Sequence, residues 1–231
     1  MDSLTIQNTV TDIYLRQQEL FSEDYYDKSA MIIGLGGIGS WVAIDLALLG
    51  VGTLILIDPD AVEATNLNRT LFKLDDIGSK KVHAIREMIS EIRKEVIVLS
   101  LAEYFKAEHI KEFDVDYIFD CTDNLNSREI IKNNMPIPSI NYVKCGYNGY
   151  SATISINDFS SGSWGEGGSY TVVPSFFGTP QIISALVVIE MMINENYEER
   201  TINYETHEIL QKLNSKEVIN EGQPEAEPEQ N

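Results

Sequence analysis

Four glycines in the stretch GLGGIGS, residues 34–40, have the spacing of a nucleotide-binding turn. They fit the G-x-G-x-x-G pattern and stand between two apolar stretches, MII and WVAIDLALLG. In such a turn the backbone approaches phosphates closely, and the N-terminus of the following helix attracts their negative charge. The pattern indicates a bound nucleotide but leaves open which nucleotide and which reaction.

A carboxylate follows the next apolar stretch of the chain. Asp58 ends LILID and lies 19 residues after Gly39, where dinucleotide-binding proteins carry the acid that binds ribose hydroxyls. A turn or helix-cap role ahead of Pro59 is the alternative. With the glycines upstream, we expect Asp58 to bind a ribose.

Polar side chains suited to phosphate oxygens come next. The segment TNLNR, residues 65–69, combines amides such as that of Asn66 with the guanidinium of Arg69, which can contact two oxygens at once. A solvated loop with one surface arginine would contain the same residues. An NAD-dependent dehydrogenase is still possible at this point.

Asp123, in the pentapeptide DCTDN, argues against a dehydrogenase. It follows a predicted buried strand, so its carboxylate would lie beside the glycine turn. A carboxylate there would repel the pyrophosphate of a dinucleotide, whereas Mg²⁺ can bridge it to a triphosphate. Capping of the helix that begins at residue 124 explains Asp123 equally well when it is considered alone. Together with Asp58 and Arg69, it favours a site for Mg²⁺ and a nucleoside triphosphate.

Alternating strands and helices must bring these side chains together. The sequence predicts strands over residues 30–34, 53–58, 96–101, 114–121, 137–143, 150–156 and 199–209, and helices over 38–49, 79–94, 124–134 and 181–193. This order predicts an α/β fold with a doubly wound, mostly parallel, Rossmann-like sheet and a C-terminal antiparallel extension. Ligands bind such sheets beyond the carboxyl ends of the strands, where the candidate site residues fall.

The composition of the chain excludes two classes of partner. Its 231 residues include 36 acidic and 17 basic ones, a formal net charge of −19, so we expect no general binding to nucleic acids or to membranes. The apolar stretch over residues 31–57 holds six glycines, which predict strand, helix and strand rather than a membrane span. We expect a cytoplasmic protein, because the N-terminus has no signal-peptide pattern and two cysteines suit a reducing compartment.

Five motifs, in order and at workable spacing, resemble those of the ThiF/MoeB/HesA adenylyltransferases, which share the nucleotide domain of ubiquitin-activating enzymes. They are Tyr14-Leu15-Arg16-Gln17, GLGGIGS, IDPDAVEATNLNR, DIGSKKV and DCTDN, the last with Arg128 in the following helix. DIGSKKV places the family's lysine at Lys81 rather than Lys80. The resemblance runs from about residue 10 to residue 156, with a weaker similarity in PSFFGTPQIISALVVIEMM.

The resemblance implies a reaction, a substrate and a partner. ATP and Mg²⁺ would bind, and a carboxylate would attack the α-phosphate to give an acyl-adenylate and pyrophosphate. In the family that carboxylate is typically the C-terminal glycine of a ubiquitin-like or sulfur-carrier protein ending in Gly-Gly. A homodimer is implied as well, because Arg16 resembles the arginine that a neighbouring subunit inserts into the site.

The resemblance also carries over roles for individual residues. The nucleotide loop would be shaped by Gly34, Gly36, Gly37 and Gly39, and the ribose would be bound by Asp58. The phosphates would be bound by Asn66, Arg69 and Lys81. Mg²⁺ would be bound by Asp123, with Asn124 beside it. The residues expected to act in catalysis are Asp123, Arg16, Arg69 and Lys81. Gly37, which the dinucleotide pattern does not require, would let the substrate's tail or the α-phosphate approach the backbone.

Three regions follow from the resemblance and the composition. Residues 1–28 form an N-terminal helical segment with Arg16, with the helix over 10–21. Residues 29–213 form a ThiF-type nucleotide-binding adenylation domain, and residues 214–231 a disordered acidic tail. Within the domain, residues 157–178 are rich in Gly and Ser at their start and are expected to be a mobile crossover loop, either a plain connection or a strap over a partner's C-terminal tail.

The sequence departs from the family pattern at three points. Ile13 stands where many members have a further arginine, and the chain has no CxxC pair, so the structural zinc of many relatives is not expected. The crossover region, which carries the nucleophile in relatives that form a thioester, contains no cysteine. We therefore expect adenylation without a stable enzyme thioester, and packing roles for Cys121 and Cys145.

Three other functions remain open from the sequence. The adenylated substrate could be a modified tRNA nucleoside or a short peptide instead of a protein C-terminus. The chain could also be an inactive dimeric scaffold, although the presence of Asp58, Arg69, Lys81 and Asp123 argues against this. The NAD-dependent dehydrogenase is the least favoured alternative.

Overall fold

The computed structural model describes residues 13–17, 19–20, 25–123, 125–135, 140–159, 174–195 and 197–207. Three predictions fall outside these residues: the acidic tail over 214–231, the position of Asn124, and most of the crossover loop over 157–178. They remain predictions.

Seven strands form one sheet in the described part of the chain. They are β1 (Ser29–Ile33), β2 (Thr53–Ile57), β3 (Ile97–Leu101), β4 (Tyr117–Asp120), β5 (Asn141–Asn148), β6 (Ser151–Ile156) and β7 (Arg200–Glu205). Their order across the sheet is β3-β2-β1-β4-β5-β6-β7, in which β1 to β5 pair in parallel and β6 pairs antiparallel with both β5 and β7. The predicted doubly wound, mostly parallel sheet with an antiparallel extension is confirmed.

Helices cover both faces of this sheet. They are α1 (Gly37–Leu49), α2 (Lys81–Ile92), α3 (Ala107–Glu112), α4 (Leu125–Asn134) and α5 (Gly178–Val188), and α5 continues as a π-helix over Ile189–Ile193. Helix α3 was not predicted, because its six residues, AEHIKE, are too few to show a helical repeat of apolar positions. The other helices begin and end within a few residues of their predicted positions.

The core lies in two layers, one on each face of the sheet. Along β1, Ala30 and Ile32 pack with α1, α2 and α5, whereas Met31 and Ile33 pack with α3 and α4. A parallel strand that is buried on both faces must be apolar at every position, which explains the unbroken apolar stretches. The stretch over residues 31–57 divides into β1, α1 and β2 as predicted, and none of the described helices is long and apolar enough to cross a membrane.

The N-terminal segment contacts the end of the sheet opposite the glycine loop. Tyr14 donates a hydrogen bond of 2.8 Å to Glu95, and Gln17 donates one of 2.7 Å to the Leu49 carbonyl at the end of α1. The helix predicted over 10–21 is wrong for residues 15–17, which form a turn held by these two contacts. Arg16 is exposed there, with α1 between it and the glycine loop of its own chain.

Candidate functional site

The glycine loop joins β1 to α1 at the carboxyl edge of the sheet, and its glycines differ in what they permit. Gly34 has φ +85°, and a Cβ on Gly39 would lie 1.9 Å from the Gly34 carbonyl oxygen, so both positions require glycine for the tight turn. A Cβ on Gly36 would have no atom within 4 Å. Gly36 therefore leaves its backbone open to a ligand, while Gly34 and Gly39 shape the loop.

One cavity of about 1120 Å³ opens above this loop at the carboxyl edge. It brings together most of the residues that the sequence predicts: Gly34, Gly36, Gly37, Asp58, Asn66, Arg69, Lys81 and Asp123. Gly39 supports the loop from below, and Arg16 of the same chain does not line the cavity. The fold therefore assembles residues from the ends of β1, β2 and β4 at one place, as parallel topology requires.

Asp58 connects the end of β2 to the glycine loop. Its Oδ2 accepts a hydrogen bond of 2.7 Å from the Leu35 N–H, and its Oδ1 accepts one of 2.8 Å from the Asp60 N–H. Burial raises the pKa of Asp58, and the Lys81 ammonium 3.8 Å away opposes this rise. Asp58 thus fixes the loop in addition to any contact with a ribose, a role that the sequence did not reveal.

Lys81 is buried at the first turn of α2 and directs its ammonium into the cavity. Nζ donates a hydrogen bond of 2.9 Å to Asp60, whose side chain is mostly exposed. Lys80 instead donates to the Pro59 carbonyl and does not line the cavity. Of the two adjacent lysines, Lys81 is therefore the one that lines the cavity.

Arg69 lies on the loop that follows β2. Its Nη1 donates to two neutral oxygens, the Thr65 carbonyl and Asn68 Oδ1, so its charge has no carboxylate partner in the described part of the chain. The Asn66 side chain accepts a hydrogen bond of 3.1 Å from the Glu63 N–H, and Trp41 donates one of 3.0 Å to the Arg69 carbonyl. These contacts hold the loop in shape and leave the Arg69 guanidinium able to bind an anion.

A buried cluster holds the turn that carries Asp123. Asp120 is fully buried at the end of β4, where its Oδ1 accepts hydrogen bonds from the N–H and hydroxyl of Thr122 at 3.0 and 2.7 Å. Tyr142 donates to Oδ2 at 3.1 Å, and Arg128 Nη2 donates to the Thr122 carbonyl at 2.8 Å. Burial raises the pKa of Asp120, and its hydrogen bonds and the Arg128 charge oppose this.

Asp123 is exposed on the cavity wall beyond this cluster. No group of three His, Cys, Asp or Glu side chains that could hold a metal occurs among the described residues. One free carboxylate fits Mg²⁺, because this ion usually takes one or two protein carboxylates and completes its shell with substrate phosphates and water.

The two cysteines lie side by side below the glycine loop. Their Sγ atoms are 3.5 Å apart, and both thiols are free. The hydrogen bond with Cys145 raises the pKa of the Cys121 thiol, and burial adds to the rise. Since the thiolate is the nucleophilic form, Cys121 is poorly suited to act as a nucleophile.

Tyr147 occupies the space that Gly37 leaves free. A Cβ on Gly37 would lie 2.5 Å from the Tyr147 hydroxyl, which is 2.6 Å from Ser175 Oγ. The predicted approach of a substrate to Gly37 would therefore require Tyr147 to move. Sequence reasoning missed Tyr147, because nothing near it in the chain marks it as a neighbour of the loop.

The cavity continues over a face of β5, β6 and β7 that is rich in hydroxyl and amide side chains, which we call the polar sheet face. It consists of Gly146, Asn148, Ser151, Thr153, Ser155, Thr201 and Asn203. At its outer end Ser151 donates a hydrogen bond of 2.6 Å to the Glu205 carboxylate. Ser155 pairs with Thr201 at 2.9 Å and Thr153 with Asn203 at 2.8 Å. The residues between them, such as Ile154 and Ile156, are buried on the opposite face, so the alternation directs the short polar side chains towards the cavity.

The chain is similar to known proteins in sequence and in fold. A family model described as the ThiF family matches residues 14–206. Over 108 residues the chain is 36% identical to the sulfur carrier protein ThiS adenylyltransferase of Escherichia coli strain K12, which covers 46% of this chain and 43% of that protein. Over 126 residues it is 32% identical to the tRNA threonylcarbamoyladenosine dehydratase of Bacillus subtilis strain 168, which covers 51% of this chain and 50% of that protein.

A solved structure supports the fold. The crystal structure of E. coli MccB with ATP is similar with a TM-score of 0.62 and 23% identity, over 72% of this chain and 55% of that chain. The chain spans about half the length of the curated relatives that it matches.

Proposed function

The chain belongs to the ThiF family, and we propose that it is an ATP-dependent adenylyltransferase that activates the C-terminal carboxylate of a ubiquitin-like or sulfur-carrier protein. One observation carries this proposal. Around a single cavity, the open backbone of Gly36 faces the charged groups of Arg69, Lys81 and Asp123. Two cations, a carboxylate and open backbone at a helix N-terminus suit a triphosphate with a divalent metal.

Different side chains around the cavity would bind different parts of MgATP. Asp58 would accept hydrogen bonds from the ribose while it holds the glycine loop. Asn66, Arg69 and Lys81 would bind phosphate oxygens. Asp123 would ligate Mg²⁺, which when bound neutralises phosphate charge and favours departure of pyrophosphate. Asn124 remains a proposed neighbour of this metal and lies outside the described residues.

The reaction needs positioning and electrostatic stabilisation more than a protein nucleophile. A carboxylate oxygen of the substrate attacks the α-phosphorus, and the bond from the α-phosphorus to the bridging oxygen of the β-phosphate breaks. Pyrophosphate leaves, and the acyl-adenylate remains. We infer that the adenylate passes onward without a stable enzyme thioester, which the raised pKa of Cys121 supports.

We further propose a homodimer in which Arg16 enters the partner's cavity. Arg16 is exposed and lies at the edge of the sheet opposite its own glycine loop, so it is poorly placed to act on ATP bound to its own chain. An arginine supplied by another subunit can raise the rate of phosphoryl transfer by about 10³–10⁵. The same contribution to adenylation would make the dimer the active form.

The substrate class rests on two further observations. Similarity to an enzyme named for its sulfur carrier protein supports a protein C-terminus. Similarity to a tRNA-modifying dehydratase keeps a tRNA nucleoside as the second candidate, but a net charge of −19 disfavours tRNA. A short peptide is a third candidate. The two free thiols suit a cytoplasmic location, which we retain as part of the proposal.

ATP–pyrophosphate exchange tests the proposal. The purified chain is incubated with MgATP, labelled pyrophosphate and a small protein ending in Gly-Gly from the same organism. We expect exchange that requires the partner and is lost in Asp123→Asn, together with an adenylate mass on the partner. Exchange stimulated by tRNA instead would identify the second candidate, and tight NADH binding without ATP binding would contradict the proposal.

A further inference from the structure

Lys144 lies where the nucleotide cavity meets the polar sheet face. It is only 2% exposed, yet it lines the cavity. Across the sheet it is in register with Asp120 of β4 and with Ser155 of β6. Its ammonium is 3.1 Å from Oδ2 of Asp158, whose side chain is largely buried.

Lys144 lines a different part of the cavity from Asp58 and Lys81. Asp58 and Lys81 meet at the end of β2, which is separated from β5 by β1 and β4. Three strand spacings amount to about 14 Å. Lys144 instead faces the part of the cavity that continues over the hydroxyls and amides of the polar sheet face.

Burying an ammonium is costly, and a buried ion pair seldom stabilises a fold more than apolar residues of the same volume would. A contribution to stability therefore does not explain why Lys144 is buried at this position. Its partner Asp158 is a carboxylate, the chemical group that the proposed reaction uses as nucleophile. In this structure the Asp158 carboxylate pairs with the Lys144 ammonium, as the carboxylate of a bound substrate would.

We propose that Lys144 positions the terminal carboxylate of the acyl substrate, which displaces Asp158 when it binds. This inference rests on the proposed adenylation. The substrate is an extended C-terminal segment of small residues, because the polar sheet face offers short hydroxyl and amide side chains and the bare backbone of Gly146. Its main chain would exchange hydrogen bonds with these groups, and its carboxylate would meet a cation at the nucleotide end.

The step conserves atoms and charge. The carboxylate forms its bond to the α-phosphorus as pyrophosphate leaves, and Lys144 keeps its proton throughout. When the adenylate forms, the carboxylate loses its charge and its attraction to Lys144 weakens. Asp158 can then pair with Lys144 again, which favours release of the product. Lys144 is thus a positioning residue on the acyl side of the reaction.

Peptide binding tests this role without turnover. The probe is fluorescein-labelled Ser-Ala-Ser-Gly-Gly with a free carboxylate, and its matched control is the same peptide as C-terminal amide. Anisotropy is measured with saturating magnesium α,β-methylene-ATP, whose α–β bond cannot break. We expect the wild type to bind the acid at least about tenfold more tightly than the amide, which corresponds to about 1.4 kcal/mol. Lys144→Met should remove this difference, and Lys144→Arg should keep part of it.

Asp158→Asn should have the opposite effect, because it removes the carboxylate that competes for Lys144. This variant should bind the acid peptide more tightly than the wild type does and the amide peptide equally well. The double variant, Lys144→Met with Asp158→Asn, removes both charges of this ion pair. It therefore separates loss of the carboxylate anchor from misfolding caused by an unpaired Asp158. Equal or undetectable binding of acid and amide by a wild type that binds nucleotide would overturn the inference. So would a Lys144→Met protein whose nucleotide affinity falls as much as its peptide affinity. If the wild type bound no nucleotide, the proposed function itself would fail.

Discussion

Oδ2 of Asp58 accepts a hydrogen bond of 2.7 Å from the main-chain N–H of Leu35, so the acid at the end of β2 holds the glycine loop at the end of β1. Oδ1 of the same side chain accepts from Asp60, and Lys81 approaches it at 3.8 Å. The shape of the loop and the position of a cation in the cavity therefore depend on one buried carboxylate.

Asp58→Ala should lower both stability and nucleotide affinity. It leaves the buried Leu35 N–H without its acceptor, and we expect a loss of about 1–3 kcal/mol in the free energy of unfolding. Asp60→Asn is the control, since Asp60 is exposed and its pair with Lys81 is expected to contribute less than about 1 kcal/mol. Urea unfolding and calorimetric titration with ATP measure the two effects. Equal stability losses in both variants would contradict this role of Asp58.

Gly36→Ala and Gly39→Ala form a matched pair within one loop. A Cβ on Gly39 meets the Gly34 carbonyl oxygen, so this variant should lose about 1–3 kcal/mol or more of folding free energy through overpacking. The Cβ that Gly36→Ala adds would contact no atom, so the free energy of unfolding should stay within about 0.5 kcal/mol of the wild-type value. The added methyl group would nevertheless stand where the nucleotide approaches, so ATP affinity should fall. Unchanged ATP binding by Gly36→Ala would show that the ligand does not approach this backbone.

Arg16→Ala and Asp123→Asn should complement each other if Arg16 acts in trans. Each variant alone is expected to lack exchange activity. After subunits are mixed, half of the dimers are heterodimers with one intact site of two, so roughly a quarter of the wild-type activity should return. Pyrophosphate exchange before and after mixing measures this. Activity that stays at the level of the separate variants would contradict action in trans.

Cys145→Ser should form the adenylate at a rate within a few-fold of wild type. The raised pKa of Cys121 disfavours a thiolate beside Cys145, and the proposed attack on ATP uses no protein nucleophile. Intact-protein mass spectrometry after reaction with a Gly-Gly partner checks the absence of a thioester. A covalent adduct on the wild type that disappears in Cys145→Ser would show the expectation to be wrong.

Asp45→Asn should stabilise the protein at neutral pH. Asp45 lies between α1 and α5, and its Oδ2 is buried without a hydrogen-bond partner in the described part of the chain. Burial raises its pKa above 3.8, and a hydrogen bond with Ser184 opposes this. An acid whose pKa is raised by folding contributes its stability below pH 3.8 and loses it as the pH rises through the folded value.

Urea unfolding of both proteins at several pH values measures this effect. At pH 7 the Asp45→Asn variant should be more stable by roughly 1 kcal/mol, and the difference should shrink as the pH falls towards 3.8. ATP affinity should not change, because Asp45 does not line the cavity. A difference that is constant with pH would show that ionisation of Asp45 is not its cause.

The sequence was sufficient to predict the order of most strands and helices and the edge of the sheet at which the site would form. It did so because the relevant signals are local. Apolar stretches that end in glycine or acid mark buried parallel strands, and the carboxyl ends of such strands share one edge. Asp58 and Asp123 each follow such a stretch, and Arg69 and Lys81 stand in short motifs that resemble those of the family, so all four candidates could be named without a structure.

The tertiary structure decided which side chains meet across the sheet. The contact of Tyr142 with Asp120 joins residues 22 positions apart, and Tyr147 of β5 lies beside Gly37 at the start of α1. Neither pairing leaves a local pattern, because the register between neighbouring strands depends on how the whole sheet packs. The ion pair of Lys144 with Asp158 likewise turns an ordinary lysine into a buried cation at the cavity. The sequence by itself determined the fold class and singled out the candidate phosphate-binding residues, whereas burial and strand register determined the charges and contacts that surround them.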